Sequence, residues 1–305
     1  MSTATTTVPT ARRARLARPD RVAPVRGARP KLPRTLGLLA LVVMALVWVL
    51  PLVWAVVTAF KSETQAGSLP VRWIPEGGFT LDSFRQVLTG SNLPLWLLNS
   101  VIVAVVVTAV TVLISAMAAY GFSRTVFRGR GWLFALTIAA IMVPPQILIV
   151  PLFRQMLALH LVDTYAGIIL PQLVAPVMVF VLKKFFDAIP VELEEAARMD
   201  GAGQFRIFWQ IILPLSRSVL AAVGIFVFIG AWNNFLWPFI VTNDPTLMTM
   251  PVGLATVKNA FGVTFAADMA GATIAALPLL VVFMLFQRHI IRLSLIHISE
   301  PTRPY

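Results

Sequence analysis

Six stretches of this chain are long, oily and almost free of charge: about Leu36–Phe60, Leu95–Ala119, Trp132–Phe153, Tyr165–Leu182, Val219–Val241 and Met269–Ile291. A helix needs roughly 20 such residues to cross the hydrocarbon layer of a bilayer. In lipid every backbone N–H and C=O must be satisfied internally, which leaves only helices and closed barrels. Runs of this length read as helices. The expected fold is therefore all-α, a polytopic membrane protein of about six transmembrane helices. Composition agrees: 58% of the 305 residues are hydrophobic and 12% charged, against about 25% charged in soluble domains, and the mean hydropathy is +0.83.

The basic residues orient the spans, because Lys and Arg accumulate in cytoplasmic loops. Residues 1–35 carry many arginines and one acid, Asp20, and read as a disordered basic cytoplasmic tail able to touch anionic lipid. A transit peptide is the competing reading, disfavoured because an uncleaved span follows directly. Arg124, Arg128 and Arg130 place the loop after the second span inside; Lys183, Lys184 and Arg217 do the same after the fourth, and Arg288 and Arg292 after the sixth. Residues 61–93, the short connection with Arg154, His160 and Asp163, and residues 242–267 are then external, and both termini are cytoplasmic. The net charge of +12 would point to nucleic acid in a soluble protein; beside spans it reports orientation, so no nucleic-acid partner is expected. Cysteine is absent and His160, His289 and His297 lack metal-ligand spacing, so no metal and no cofactor are expected.

The spans contain essentially no ionisable residue; Asp163 and Asp268 lie at edges. Ion-coupled carriers usually need intramembrane acids or histidines, although sodium sites can be built from carbonyls. There is no Gly-x4-Gly-Lys-Ser/Thr loop to hold nucleotide phosphates. Uphill transport would thus need a partner to supply energy, and the chain itself is not expected to be an enzyme. Uncharged polar residues do lie within spans, among them Asn99, Ser100, Thr108, Thr111, Ser115, Gln146, Gln172, Asn233 and Asn234. Each is either a helix–helix hydrogen-bonding group or part of a path for a hydroxyl-rich solute. Trp237 reads as packing; Trp232 fits packing or a sugar-stacking platform equally. Asn99, Gln146, Gln172, Trp232, Asn233 and Asn234 are the candidate path residues. Pro144-Pro145, Pro171 and Pro176 should kink or break their helices, as simple bends or as breaks in a gated path.

Residues 183–217 differ from the rest in mixing charge with apolar residues. Pro190 suits a first helical turn, with Glu192, Glu194 and Glu195 near the positive end of the helix dipole. Gly201 and Gly203 give a stop, and a second short helix, about Gln204–Leu213, is expected to end at Pro214. Glu195-Ala196-Ala197, Gly201, Ile211, Leu213 and Pro214 match at every fixed position the Glu-Ala-Ala loop of ABC-importer permeases, which the chain resembles; an amphipathic linker helix is the bland alternative. The resemblance extends over roughly Leu36–Arg292, through LLNSVIVA, AAYGFSR, GIILPQLVAP, GAWNNFLWPFI and MPVGLA, and is nearest the carbohydrate class, maltose-type second permease subunit.

That resemblance implies a type I ABC-importer permease architecture over 36–292, with the loop as a coupling helix docked in a cleft on a cytoplasmic ATPase. Glu195, Ala196, Ala197, Asp200, Gly201, Leu213 and Pro214 are then the docking residues, with Glu195 against a basic residue and the Ala196/Ala197 face in the cleft. It also implies a cytoplasmic ATPase dimer, a second permease as heterodimer partner and an extracytoplasmic solute-binding protein, in a bacterial inner membrane. Two departures stand out: Asn234 is often acidic in the family, and residues 293–305 lack the family's Gly/Ala-rich tail after Phe286-Gln287-Arg288. The end, about Ser294–Tyr305, is expected not to be native coding sequence; a SEPTRPY-spanning peptide from the source organism would contradict that. Rival classes are a permease for polyamine or phosphate, an ion-coupled carrier, and a membrane scaffold that moves nothing.

Overall fold

The computed structural model describes residues 34–70, 72–260 and 264–298. The basic tail up to residue 33 and the last residues, 299–305, lie outside them. The chain separates between Val49 and Leu50 into two compact units. In the first, the described residues form the start of α1 (Arg34–Ala59), with apolar side chains exposed, Trp48 to 75%. Such a surface suits lipid and not water.

The second unit holds the other helices. Residues 61–93, read from the sequence as an external loop, contain two short ones, α2 (Glu63–Ala66) and α3 (Asp82–Thr89). Then comes α4 (Leu93–Arg124), 32 residues and longer than the expected span at both ends. Pro94 is tolerated in its first turn, where a missing N–H costs nothing, and Thr125 in extended conformation stops it.

The third span is not one helix. α5 (Arg130–Ile141) meets a 3-10 turn (Pro145–Leu148) and α6 (Ile149–Ala158), with a bend of 96° at the proline pair. The fourth is α7 (Tyr165–Ile169), a 3-10 turn at Leu170–Gln172 and α8 (Pro176–Asp187), bent by 47°. Prolines remove a donor and crowd the preceding turn, so both breaks fall where they stand.

Beyond α9 (Glu192–Met199), the second short helix ends at Leu215, one residue past the expected stop at Pro214. α10 (Gln204–Ile207) passes through a π turn (Phe208–Ile212) into α11 (Leu213–Leu215), and the bend of 79° falls at Ser216. The wider π turn just before the proline relieves the clash that an α-helix would suffer there. The fifth span also departs from expectation. α12 (Arg217–Trp232) stops at Asn233-Asn234, and α13 (Leu236–Val241) resumes after it. Asn233 turns its amide back onto the Ile229 carbonyl at 2.9 Å, and Asn234 Oδ1 faces the Trp237 N–H at 3.5 Å. Asparagine side chains compete with the backbone in this way and favour helix ends. α14 (Met250–Ala260) and α15 (Phe265–Ile298) complete the unit, α15 continuing past the expected boundary at residue 292. Among the described residues, three helices are long and apolar enough to cross a membrane alone, and up to six spans result if each bent pair counts as one.

The core lies where α4, α8 and α12 pack, with Val103, Val107, Leu182, Phe186, Val219 and Val223 fully or nearly buried, joined by Ile168, Ile207, Ile212 and Trp237. α12 also packs on α15. Between lipid-solvated helices it is close packing and shared hydrogen bonds, not expulsion of water, that hold such a core.

Candidate functional site

Two places concentrate the residues singled out from the sequence: the α9 loop and a cavity among the broken helices. α9 opens with three carboxylates in its first turn and closes with a double-bonded glycine turn. The Ala202 N–H reaches the Ala197 carbonyl at 2.9 Å, the Gly201 N–H reaches Arg198 at 3.0 Å, and Gly201 has φ +81°. This is the left-handed cap in which glycine avoids the Cβ clash. The outward face of the loop presents Glu195, Ala196, Met199, Asp200, Gly201 and Pro214 to solvent.

Two residues assigned to docking face the other way. Ala197 and Leu213 are half-buried on the chain's own core. Helical spacing sets Ala197 on the same side as Glu194, three residues back, and that side is inward. Glu194 itself, which the sequence marked only as a charge near the helix dipole, is 1% exposed. Its nearest partner is Arg124 from the end of α4, at 2.8 Å, with Arg198 of its own helix at 3.8 Å.

The cavity, about 260 Å3, is lined by Pro145, Gln146, Pro171, Gln172, Asn234 and Trp237 with three aliphatic side chains, and by no charged residue. It gathers the α5/α6 break, the α7/α8 break and the α12/α13 break at one place. Gln172 Oε1 accepts from Asn234 Nδ2 at 2.8 Å while its Nε2 donates to the Ile168 carbonyl at 2.7 Å, so the two amides tie two of the breaks together. Gln146 stands exposed at the rim.

The other three candidate path residues lie elsewhere. Asn99 is buried and fully engaged: its Nδ2 donates to the carbonyls of Thr246 and Met248, both at 2.9 Å, and its Oδ1 accepts from the Tyr165 hydroxyl at 2.6 Å. It fastens α4 to the segment 246–248. Trp232 is 3% exposed and stacks on Phe228 with ring centres 5.9 Å apart, which decides for packing. Asn233 is exposed and caps its own helix. Trp237, read as packing, is buried, and its Nε1 donates to the Gly167 carbonyl at 3.1 Å. Among the described residues no cluster of His, Asp or Glu has the makings of a metal site.

The family described as "Binding-protein-dependent transport system inner membrane component" matches residues 111–293, from mid-α4 through the loop and all three breaks. The chain belongs to this family. Among curated relatives, the permease is 36% identical over 250 residues to the arabinooligosaccharides transport system permease protein AraQ of Halalkalibacterium halodurans, covering 81% of this chain and 90% of that one. It is 33% identical to the trehalose/maltose transport system permease protein MalG of Thermococcus litoralis (85% and 94% covered) and to the diacetylchitobiose uptake system permease protein NgcG of Streptomyces coelicolor (82% and 83%). A crystal structure of a bacterial ABC transporter involved in the import of the acidic polysaccharide alginate superposes with a TM-score of 0.74 at 20% identity, over 83% of this chain and 95% of that one. The helical permease fold is thereby shared. The permease is a multi-pass inner-membrane transport component.

Away from α9, Asp163 links two turns, its own and the one at 243–244. Its carboxylate accepts from the backbone N–H groups of Asn243 and Asp244, the latter at 3.0 Å. Burial pushes this carboxyl up, but those backbone donors and the Asn243 side chain outweigh it and hold it below the ordinary carboxylate value. The sign follows: a lowered folded pKa stabilises in full above the ordinary value near 3.9, and the contribution is lost progressively as pH falls from there through the lower folded value. Protection of the Asn243 and Asp244 amides from exchange should hold from neutral pH down to about 4 and be lost over that lower range. Loss of protection already near pH 5 would contradict the linkage, and Asp163→Asn should abolish its pH dependence.

Proposed function

We propose that the permease forms half of the translocation path for an uncharged sugar or oligosaccharide handed over by an extracytoplasmic binding protein. A second permease subunit completes the path as heterodimer partner. A cytoplasmic ABC ATPase dimer supplies the energy and docks on α9 through Glu195, Ala196, Asp200, Gly201 and the exposed Pro214. Both termini lie in the cytoplasm, as the arginine distribution favours. The relatives named for arabinooligosaccharides, trehalose/maltose and diacetylchitobiose support the solute class.

The observation that carries the reading is the meeting of three helix breaks at one cavity lined by amides and no charge. Discontinuous helices are tolerated in a membrane where they line a cavity, and transporters place solute there. Neutral amides donate to and accept from hydroxyls without demanding a counter-charge. A polycation would need acids in the path, and a phosphate would need cations; the lining holds neither.

The test uses the whole assembly in liposomes, with uptake driven by ATP and loaded binding protein. Gln172→Leu keeps the bulk but removes the amide that holds Asn234. Uptake of a neutral oligosaccharide should fall on the order of tenfold, the weight of about 1.4 kcal/mol for one hydrogen-bonding group in a confined site. Trp232→Phe, away from the cavity, should leave uptake near that of the unaltered assembly. Unchanged uptake by Gln172→Leu would remove the cavity from the path.

A further inference from the structure

The covalent joints of α9 are poorly suited to transmit a push. It is connected to α8 by the turn at 188–191 and to α10 by residues 200–203, with Gly201 at φ +81° and Gly203 extended. Both interrupt the helix, so neither joint is a continuous rod. Yet the helix is gripped from the side, and by one element. Arg124, in the last turn of α4, has a side chain 8% exposed, and its Nε lies 2.8 Å from Glu194 Oε1 as an ion pair. The same guanidinium donates through its Nη2 to the carbonyls of Phe186 at 2.6 Å and Ile189 at 2.5 Å, at the end of α8. It thus joins α4, the exit of α8 and α9 at a single group. An arginine's planar fork suits such multiple contacts, where a lysine's point charge does not.

One turn earlier on the same face of α4, Tyr120 grips the far side of the glycine turn. Its hydroxyl donates to the Gln204 carbonyl at 3.4 Å, and its ring packs on Phe208 with centres 5.1 Å apart. α4 therefore straddles the coupling loop. At its other end the same unbroken helix, about 48 Å long at 1.5 Å per residue, holds the external segment 245–250. Trp96 Nε1 donates to the Pro245 carbonyl at 2.7 Å, Asn99 bonds Thr246 and Met248, and the Ser100 hydroxyl accepts from the Met250 N–H at 2.7 Å.

We propose that Arg124 and Tyr120 are positioning residues that make α4 the output rod of the coupling helix, carrying displacement of α9 to the external segment 245–250. The proposal rests on reading α9 as the ATPase dock. Glu194 serves the rod and not the dock, because a side chain 1% exposed does not reach a partner protein. Its neighbour Glu195 is exposed and serves the dock. Adjacent glutamates thus have separate tasks, set by which face of α9 each occupies.

The test uses the complete assembly of both permeases, ATPase and binding protein. The double variant Arg124→Met with Glu194→Leu removes both buried charges and leaves Arg198, 48% exposed, to solvent; apolar replacement of a buried ion pair is commonly tolerated for folding. It should keep the ATPase subunit and basal ATP hydrolysis, while uptake per ATP falls roughly tenfold, within the span of measured coupling factors. Hydrogen exchange of the 245–250 segment should respond to ATP in the unaltered assembly and not in the double variant, a readout that a merely structural role would leave in place. Arg124→Lys, which keeps charge but loses the fork, should be intermediate. Normal uptake per ATP by the double variant would overturn the proposal. So would loss of the ATPase subunit from a well-inserted chain, since the pair would then build the dock. Failure of the unaltered assembly to hydrolyse ATP would overturn the importer reading, and the rod with it.

Discussion

Glu195→Lys should release the ATPase and abolish most uptake while the spans still insert. Glu195 is exposed on the outward face of α9, in its first turn, beside Ala196, whose small side chain lets a partner approach closely. The resemblance implies a basic residue opposite. Truncating one member of a desolvated charge pair costs about 2–5 kcal/mol, and reversal adds like-charge repulsion. Affinity for the ATPase should fall roughly 30-fold or more, since each 1.4 kcal/mol is tenfold. Copurification in detergent measures it directly. Retention of the ATPase at the level of the unaltered chain, with normal uptake, would remove Glu195 from the dock. Glu192 is also exposed but lies three residues back along the helix, so Glu192→Lys should weaken association less.

Substitution of Gly201 should fall in an order set by conformation and not by size or polarity. The residue sits at φ +81° with nothing within 4 Å of an added Cβ, so space is no obstacle and backbone strain is the whole cost. A non-glycine residue in this region costs on the order of 1–3 kcal/mol, most for β-branched side chains and least for asparagine. Gly201→Asn should be mild, Gly201→Ala intermediate and Gly201→Val severe. In the severe case the Ala202–Ala197 and Gly201–Arg198 bonds open, the last turn of α9 frays, and ATPase stimulation by loaded binding protein should fall by roughly tenfold or more. If Asn proves worse than Val, contact with the partner and not the left-handed turn governs the position.

What could be read from the sequence was local or strongly periodic. The apolar runs gave the helices, and Gly201 gave the turn, because a span and a glycine cap are each specified by neighbouring residues. Pro144-Pro145 and Pro171/Pro176 marked breaks, but not their 96° and 47° angles, which depend on what the second half packs against. The stop at Asn233-Asn234 escaped a pattern of hydrophobicity because it arises from amides turning onto their own backbone. Pro214 marked the end of its helix to within a residue, but not the π turn that precedes it.

Side-chain roles that depend on distant partners were not legible. Asn99 looked like a path residue because any amide in a span does; Tyr165, Thr246 and Met248, which engage it, are far away in the chain. Gln172 and Asn234 looked the same from sequence and do meet across the cavity. Glu194 and Glu195 are chemically identical neighbours, and only the packing of α9 against Arg124 separates them. Arg124 at the end of a long apolar helix, with no acid near it in sequence and read as an orientation marker, was the one available hint.

The most direct measurement is ATP hydrolysis by the copurified assembly, with and without binding protein loaded with a neutral oligosaccharide. This chain would be expressed with its neighbouring permease and a sugar-family ATPase from the same source. A stable complex whose hydrolysis rises when loaded binding protein is added is the expected result. A well-inserted chain that retains no ATPase, or takes up solute alone under an imposed ion gradient, would contradict it.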